Sequence, residues 1–135
     1  YRTFLYEHIA KLQPETVIMM NSGISTQDTY DVEYAWPSDI IAIERSLPND
    51  KGFQKYREIE GREYYMPGEV CDPLGKDWFW VEGDKPRDDK SLAEQLQMCR
   101  ARGVNMLLDV PPDNRGVIPQ ESVDALMRLR KNAGI

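Results

Sequence analysis

Histidine and cysteine are almost missing from this sequence. One histidine, His8, and two cysteines, Cys71 and Cys99, occur in 135 residues. A single imidazole excludes a histidine-based metal centre, or a Ser-His-Asp triad, made by this chain alone. Two cysteines so far apart lack metal-ligand spacing and read as buried free thiols. Long apolar runs are absent too: none approaches the roughly 20 residues of a membrane span, so no membrane partner is expected. Glycine and proline number only nine each, which excludes collagenous and low-complexity classes. Basic residues are the minority, 17 against 23 acidic, for a net charge of −6. A nucleic-acid partner needs a basic surface and is not expected. The glycine-rich loops that cradle nucleotide phosphates are missing as well. A neutral ligand such as a sugar fits all of these absences. No signal-peptide pattern is read in these residues. The chain opens at Tyr1 without an initiator methionine, and is expected to be a piece of something longer.

What is present is a globular composition, with 41% hydrophobic and 10% aromatic residues. That is one domain's worth of chain, able to bury a core. Residues Arg2 to Leu12 carry an apolar stripe at Phe4, Leu5, His8, Ile9 and Leu12, the pattern of an amphipathic helix ending before Pro14. Three solid apolar runs, 16–20, 39–43 and 105–110, read as strands buried on both faces, as in a parallel sheet. Residues 16–21, 39–44 and 105–110 are expected to lie parallel and adjacent in one sheet. Residues 57–65 around Gly61 predict a small hairpin, and 64–70 a third core strand interrupted by Pro67 and Gly68. Ser91 and Glu94 have the spacing of a capping box that opens a helix running to about Arg102 and capped by Gly103. Pro119 suits the first position of a terminal helix.

Strands separated by crossovers imply an α/β fold with a parallel sheet. The element order resembles one half of a (β/α)8 TIM-type barrel, which takes about 250 residues in full. A small doubly wound domain is the structural rival. Residues 1–135 are expected to make one unit in either case, with no second domain among them.

In parallel α/β folds the chemistry sits at the carboxyl ends of the strands. The residues expected there are Asn21, then Glu44 and Arg45, then Glu69, then Asp109. Three carboxylates converging on one face suit glycoside hydrolysis, which places two carboxyl groups about an oxocarbenium-like centre. Tyr34, Trp36, Trp78, Phe79 and Trp80 supply flat rings for sugar faces. The bland alternatives are a Glu44–Arg45 surface pair, a Glu69 turn cap and aromatics that are simply core. Asp28, Asp31 and Glu33 lack the glycine and terminal glutamate of a calcium loop, so no metal is assigned. The acidic runs 82–84 and 88–89 read as solvated loop surface.

Three stretches resemble one family. Residues 104–119, VNMLLDVPPDNRGVIP, look like the last barrel strand and loop of the alpha-L-fucosidases, family 29 of the glycoside hydrolases. Residues 65–72 with Trp78 and Phe79 resemble that family's Pro-x-Glu segment and aromatic pair. Residues 39–44, followed by Pro48, resemble the strand that delivers a glutamate to the active site. The resemblance implies a retaining exo-glycosidase acting on fucosylated glycans, with no cofactor. It implies a nucleophilic aspartate after the fourth barrel strand, upstream of this chain. The general acid/base of the family matches Glu44 in many bacterial members and Glu69 in others. Asn21, Trp36, Trp78, Phe79 and Asp109 are then the expected sugar-binding residues. The sequence departs from the family at Asn21-Ser22-Gly23, where many members carry Asn-Asp-Arg, and at Asp109, where asparagine is usual. Both departures point to a changed subsite or glycan specificity. The full-length parent is expected to be secreted or periplasmic, its signal lying outside this chain. The oligomeric state is not legible.

Overall fold

The protein is described from a computed structural model, which covers residues 1–21, 36–48 and 51–134. Helix α1 spans Arg2–Leu12, as its periodicity predicts. Strand β1 is Ile41–Glu44, β2 Tyr56–Ile59, β3 Arg62–Tyr65 and β4 Gly68–Pro73. Helix α2 (Asp89–Ala101), strand β5 (Asn105–Asp109) and helix α3 (Gln120–Ala133) complete the order. Strands β1, β4 and β5 form one parallel sheet in that order, and β2 and β3 form a separate antiparallel hairpin.

Two expectations about the sheet are corrected here. Strands β1 and β5 are parallel members of one sheet, but β4 stands between them. The run 16–20 is not a strand. Side chains intercept its amides: Ile18 N–H donates to the Asp39 carboxylate at 2.8 Å, and Met20 N–H to the Ser38 hydroxyl at 3.0 Å. With those two amides taken by side chains, the run joins the segment before β1 through Asp39 N–H to Ile18 O at 2.8 Å and is not extended into a ladder.

The expected third strand divides at Pro67. Residues 62–65 join the hairpin, whose register pairs Ile59 with Arg62. That leaves Glu60 and Gly61 as a two-residue loop, both at positive φ (52° and 74°), the backbone of a type I′ turn. Tyr56 and Tyr65 face each other across the hairpin with ring centroids 5.4 Å apart. Strand β4 then starts afresh at Gly68 and runs to Pro73.

Alternation along the sheet separates two faces. On one, Ile41, Ile43 and Val70 are buried with Phe53, Met66, Cys99 and Val104. A second cluster, Leu74, Leu92, Ala125 and Leu129, joins the end of β4 to α2 and α3. Each fully buried aliphatic side chain contributes about 1.5–3 kcal/mol. The opposite face carries Ala42, Glu44, Glu69, Cys71, Asn105 and Leu107, and Leu107 is 46% exposed. Burial on both faces is therefore not what the structure shows, because nothing among the described residues covers this side.

The start of α2 also differs from expectation. Asp88, not Ser91, is the N-cap, and its carboxylate accepts from the Ser91 amide at 2.9 Å. The competing choice loses because Asp88 reaches the N3 amide one turn earlier, and Ser91 already lies inside the helix. At the other end Gly103 has φ 74°, as expected, and Val104 N–H donates to Cys99 O at 3.0 Å. Pro119 sits one residue before its expected place, as the N-cap of α3.

Candidate active site

The carboxyl end of the sheet is built from the ends of β1, β4 and β5. Glu44 is the last residue of β1 and lies level with Cys71 of β4. Asp109 is the last residue of β5, and its carbonyl accepts from Leu74 N–H at 2.9 Å, which extends the ladder past β4. By strand parity, Glu44, Cys71 and Asp109 share the open face.

The Cys71 thiol lies among these charges. Burial pushes the Cys71 thiol up first, and the carboxylates of Asp109, Glu69, Glu44 and Asp72 push it further. Three of the four are the carboxylates singled out in the sequence. One oxygen of Asp109, Oδ2, is buried and has no hydrogen-bond partner among the described residues. A buried acceptor left unpaired is costly, so this oxygen is suited to an incoming donor.

Glu69 is placed differently from expectation. It is the second residue of β4, level with Ala42 and Asn105. It therefore lies near the amino end of the strand, two residues or about 6–7 Å before the level of Glu44. The cause is Pro67: the strand begins after it rather than ending near it. The Glu69 carboxylate accepts from Asn105 Nδ2 at 2.7 Å. Both residues lie on the open face.

Trp36 does not join this end of the sheet. It precedes β1 and packs on the helix-side core, tilted against Tyr64 with ring centroids 4.5 Å apart. Its sequence position before an apolar strand allowed either place, and core packing decided it. Asn21 is exposed at the end of the segment tethered to Ser38. Tyr34, Ser22, Gly23, Asp28, Asp31 and Glu33 lie outside the described residues.

Trp78 and Phe79 do stand at the carboxyl end, on the loop that follows β4. Phe79 is 83% exposed, and Trp78 and Trp80 are partly covered. Asp84 organises this loop: its carboxylate accepts from the amides of Lys76 (3.1 Å), Asp77 (3.3 Å) and Lys85 (2.9 Å). Arg45 holds it from the sheet side. The guanidinium lies 4.8 Å from the Trp78 ring centroid and donates to Lys76 O at 2.9 Å. Deeper in, Asp72 on the helix face binds Arg87 at 3.1 Å and Gln95 Nε2 at 2.8 Å, fixing the end of β4 to α2.

Sequence reasoning placed Arg45 at the strand end but as a partner of Glu44 rather than of Trp78, and it missed Asp84 and the Asp72–Arg87–Gln95 network. The acidic runs are not merely solvated surface, because Asp84, Asp88 and Asp89 all have partners. Among the described residues no group of three His, Cys, Asp or Glu side chains is arranged to hold a metal.

The alpha-L-fucosidase family model matches residues 2–131. The chain belongs to the alpha-L-fucosidase family. Among solved structures it is similar to alpha-L-fucosidase isoenzyme 1 from Paenibacillus thiaminolyticus, with 28% identity and a TM-score of 0.70 over 98% of this chain and 29% of that one. It shares the fold of the Lactobacillus casei alpha-L-fucosidase AlfC in complex with alpha-L-fucose product, at 18% identity and TM-score 0.70, over 98% of this chain and 35% of that one. It also shares the fold of a Ruminococcus gnavus GH29 fucosidase in complex with fucose, at 15% identity and TM-score 0.58, over 68% of this chain and 22% of that one. No curated protein matches the chain. The chain spans between 22% and 35% of the length of these three enzymes.

Proposed function

We propose that this chain is the C-terminal half of a retaining alpha-L-fucosidase barrel and carries its general acid/base. Strands β1, β4 and β5 are consecutive strands of a (β/α)8 barrel in this reading, and their open face is the barrel interior. An upstream half supplies the other strands and the nucleophilic aspartate. The observation that carries the reading is Glu44 at the carboxyl end of β1, on the face shared with Asp109 and beside the loop of Trp78 and Phe79.

The substrate is a fucosylated glycan. The upstream aspartate attacks the anomeric carbon of fucose as the bond to the leaving oxygen breaks, and Glu44 gives that oxygen its proton. Glu44 then takes a proton from water, which displaces the aspartate and releases fucose. Asp109 accepts a sugar hydroxyl through its unpaired oxygen, and Trp78 and Phe79 stack on apolar sugar faces. Glu69 lies further down the barrel, where it holds a sugar hydroxyl or backs up the acid role of Glu44. A retaining mechanism sets the Glu44 carboxyl about 5–5.5 Å from the nucleophile.

The test is a pair of substitutions in the complete protein. Glu44→Gln should lower turnover of fucosides with poor leaving groups by about 10²–10⁴-fold, and that of activated aryl fucosides far less. If Glu69→Gln shows this pattern and Glu44→Gln does not, the two roles are exchanged. If neither shows it, the fucosidase mechanism is wrong for this chain. The second reading is a carbohydrate-binding or structural segment, which would use the exposed Phe79 ring but no acid. The 135-residue chain alone should then show no turnover of an aryl fucoside under either reading, so the complete protein decides between them.

A further inference from the structure

Arg45 has no part in the reaction above, yet it occupies an unusual place. It follows Glu44 directly and adopts φ 49°, in the left-handed region that L residues rarely enter. Its amide still donates to Cys71 O at 3.0 Å, so the chain turns without losing the ladder. Glycine or asparagine would serve that backbone with less strain. What the long cationic side chain does there is shown by its contacts. The planar guanidinium covers the Trp78 ring at 4.8 Å while donating to Lys76 O at 2.9 Å. A planar donor can stack and hydrogen-bond at once, whereas an ammonium is a point charge. Asp84 holds the amides of Lys76 and Asp77 from the other side of the same loop.

We propose that Arg45 is a positioning residue that fixes Trp78 as the wall of the leaving-group side of the site. This rests on the reading of Glu44 as the general acid. The acid faces the leaving oxygen, so a ring clamped to the residue next to the acid borders the sugar on that side of the scissile bond. Phe79, exposed beyond Trp78, continues the wall outward. A sugar leaving group can stack on this indole. A small activated aryl group reaches less of the wall.

The experiment uses the complete protein and the substitution Arg45→Gly, which keeps the left-handed backbone and removes the guanidinium. Fucosyl-oligosaccharide and aryl-fucoside kinetics are measured side by side, with thermal melting as a control. KM for the oligosaccharide should rise about tenfold, the size of effect expected for a stacked cation near 1.4 kcal/mol. The rise for the aryl fucoside should be clearly smaller. Iodide quenching of Trp78 fluorescence, referenced to Trp78→Phe, should increase in Arg45→Gly. On a Trp78→Ala background, Arg45→Gly should add no further change in the ratio of the two KM values. An equal loss on both substrates, or an additive effect on that background, overturns the proposal. Absence of turnover by the unmodified protein overturns the fucosidase reading beneath it. Turnover with an unchanged KM ratio in Arg45→Gly overturns the role of Arg45 alone.

Discussion

At the scale of single residues, the acidic side chains matter through their neighbours. The Tyr6 hydroxyl donates to the Asp39 carboxylate, and this bond, with burial and the Asp39 charge, pushes the phenol up to about 12. The protonated phenol is the form that the fold favours. Its contribution to stability is complete below pH 10, the ordinary tyrosine value, and is lost as pH rises toward 12. Ultraviolet titration should show Tyr6 titrating late, and Asp39→Asn should bring it back toward 10. Cys71 offers a test of the site that needs no substrate. Its thiol is raised by burial and then by the carboxylates around it. Removing a negative charge favours the thiolate, so Glu44→Gln and Asp109→Asn should each lower the Cys71 pKa. Alkylation by iodoacetamide at fixed pH should be faster in both variants. Unchanged rates would show that these carboxylates do not converge on the thiol.

At the scale of elements, local chemistry decides boundaries. The hairpin turn places Glu60 at φ 52° with Gly61 at φ 74°. A glutamate there is strained, whereas asparagine is the preferred first residue of a type I′ turn. Glu60→Asn should stabilise the fold by about 0.5–1 kcal/mol in urea unfolding. A loss of stability would mean that the turn is not of this type. The same kind of local reasoning read α1 correctly over its whole length, because its apolar stripe has a helical period. The stripe itself stays largely uncovered: Phe4 is 64% exposed and Leu12 67%. Phe4 and His8 stack on each other at 5.9 Å instead. The capping residue of α2 was misplaced because Asp88 and Ser91 both have capping chemistry, and only the path of the chain chooses between them.

At the scale of the whole molecule, the open sheet face is the feature to explain. Leu107 lies mid-strand in β5, the kind of position that a parallel sheet normally buries on both sides. In the proposed barrel this leucine points to the interior. Leu107→Lys should therefore destabilise the complete protein by several kcal/mol, as an unpaired charge in a core does. The same substitution should change the stability of the 135-residue chain alone by less than about 0.5 kcal/mol, because there the side chain already meets water. Equal effects in both would remove the barrel reading. This contrast can be measured by chemical denaturation of the two proteins.

Composition, period and turn chemistry determined much of this protein without reference to tertiary contacts. Helix α1, strands β1 and β5, the hairpin about Gly61 and the cap at Gly103 were legible because each depends on neighbours in the chain. The positions of Glu44 and Asp109 at strand ends were legible because each closes an apolar run. What lay beyond the sequence depended on partners far along the chain. Asp39 and Ser38 took the amides of residues 18 and 20, which removed an expected strand. Strand β4 inserted between β1 and β5, and Pro67 moved Glu69 toward the amino end of its strand. Core packing drew Trp36 to Tyr64, and Arg45 crossed to Trp78 rather than staying beside Glu44. The apolar and turn patterns encode local conformation. Which side chain meets which is settled only when strand order and register bring distant residues to one end of the sheet.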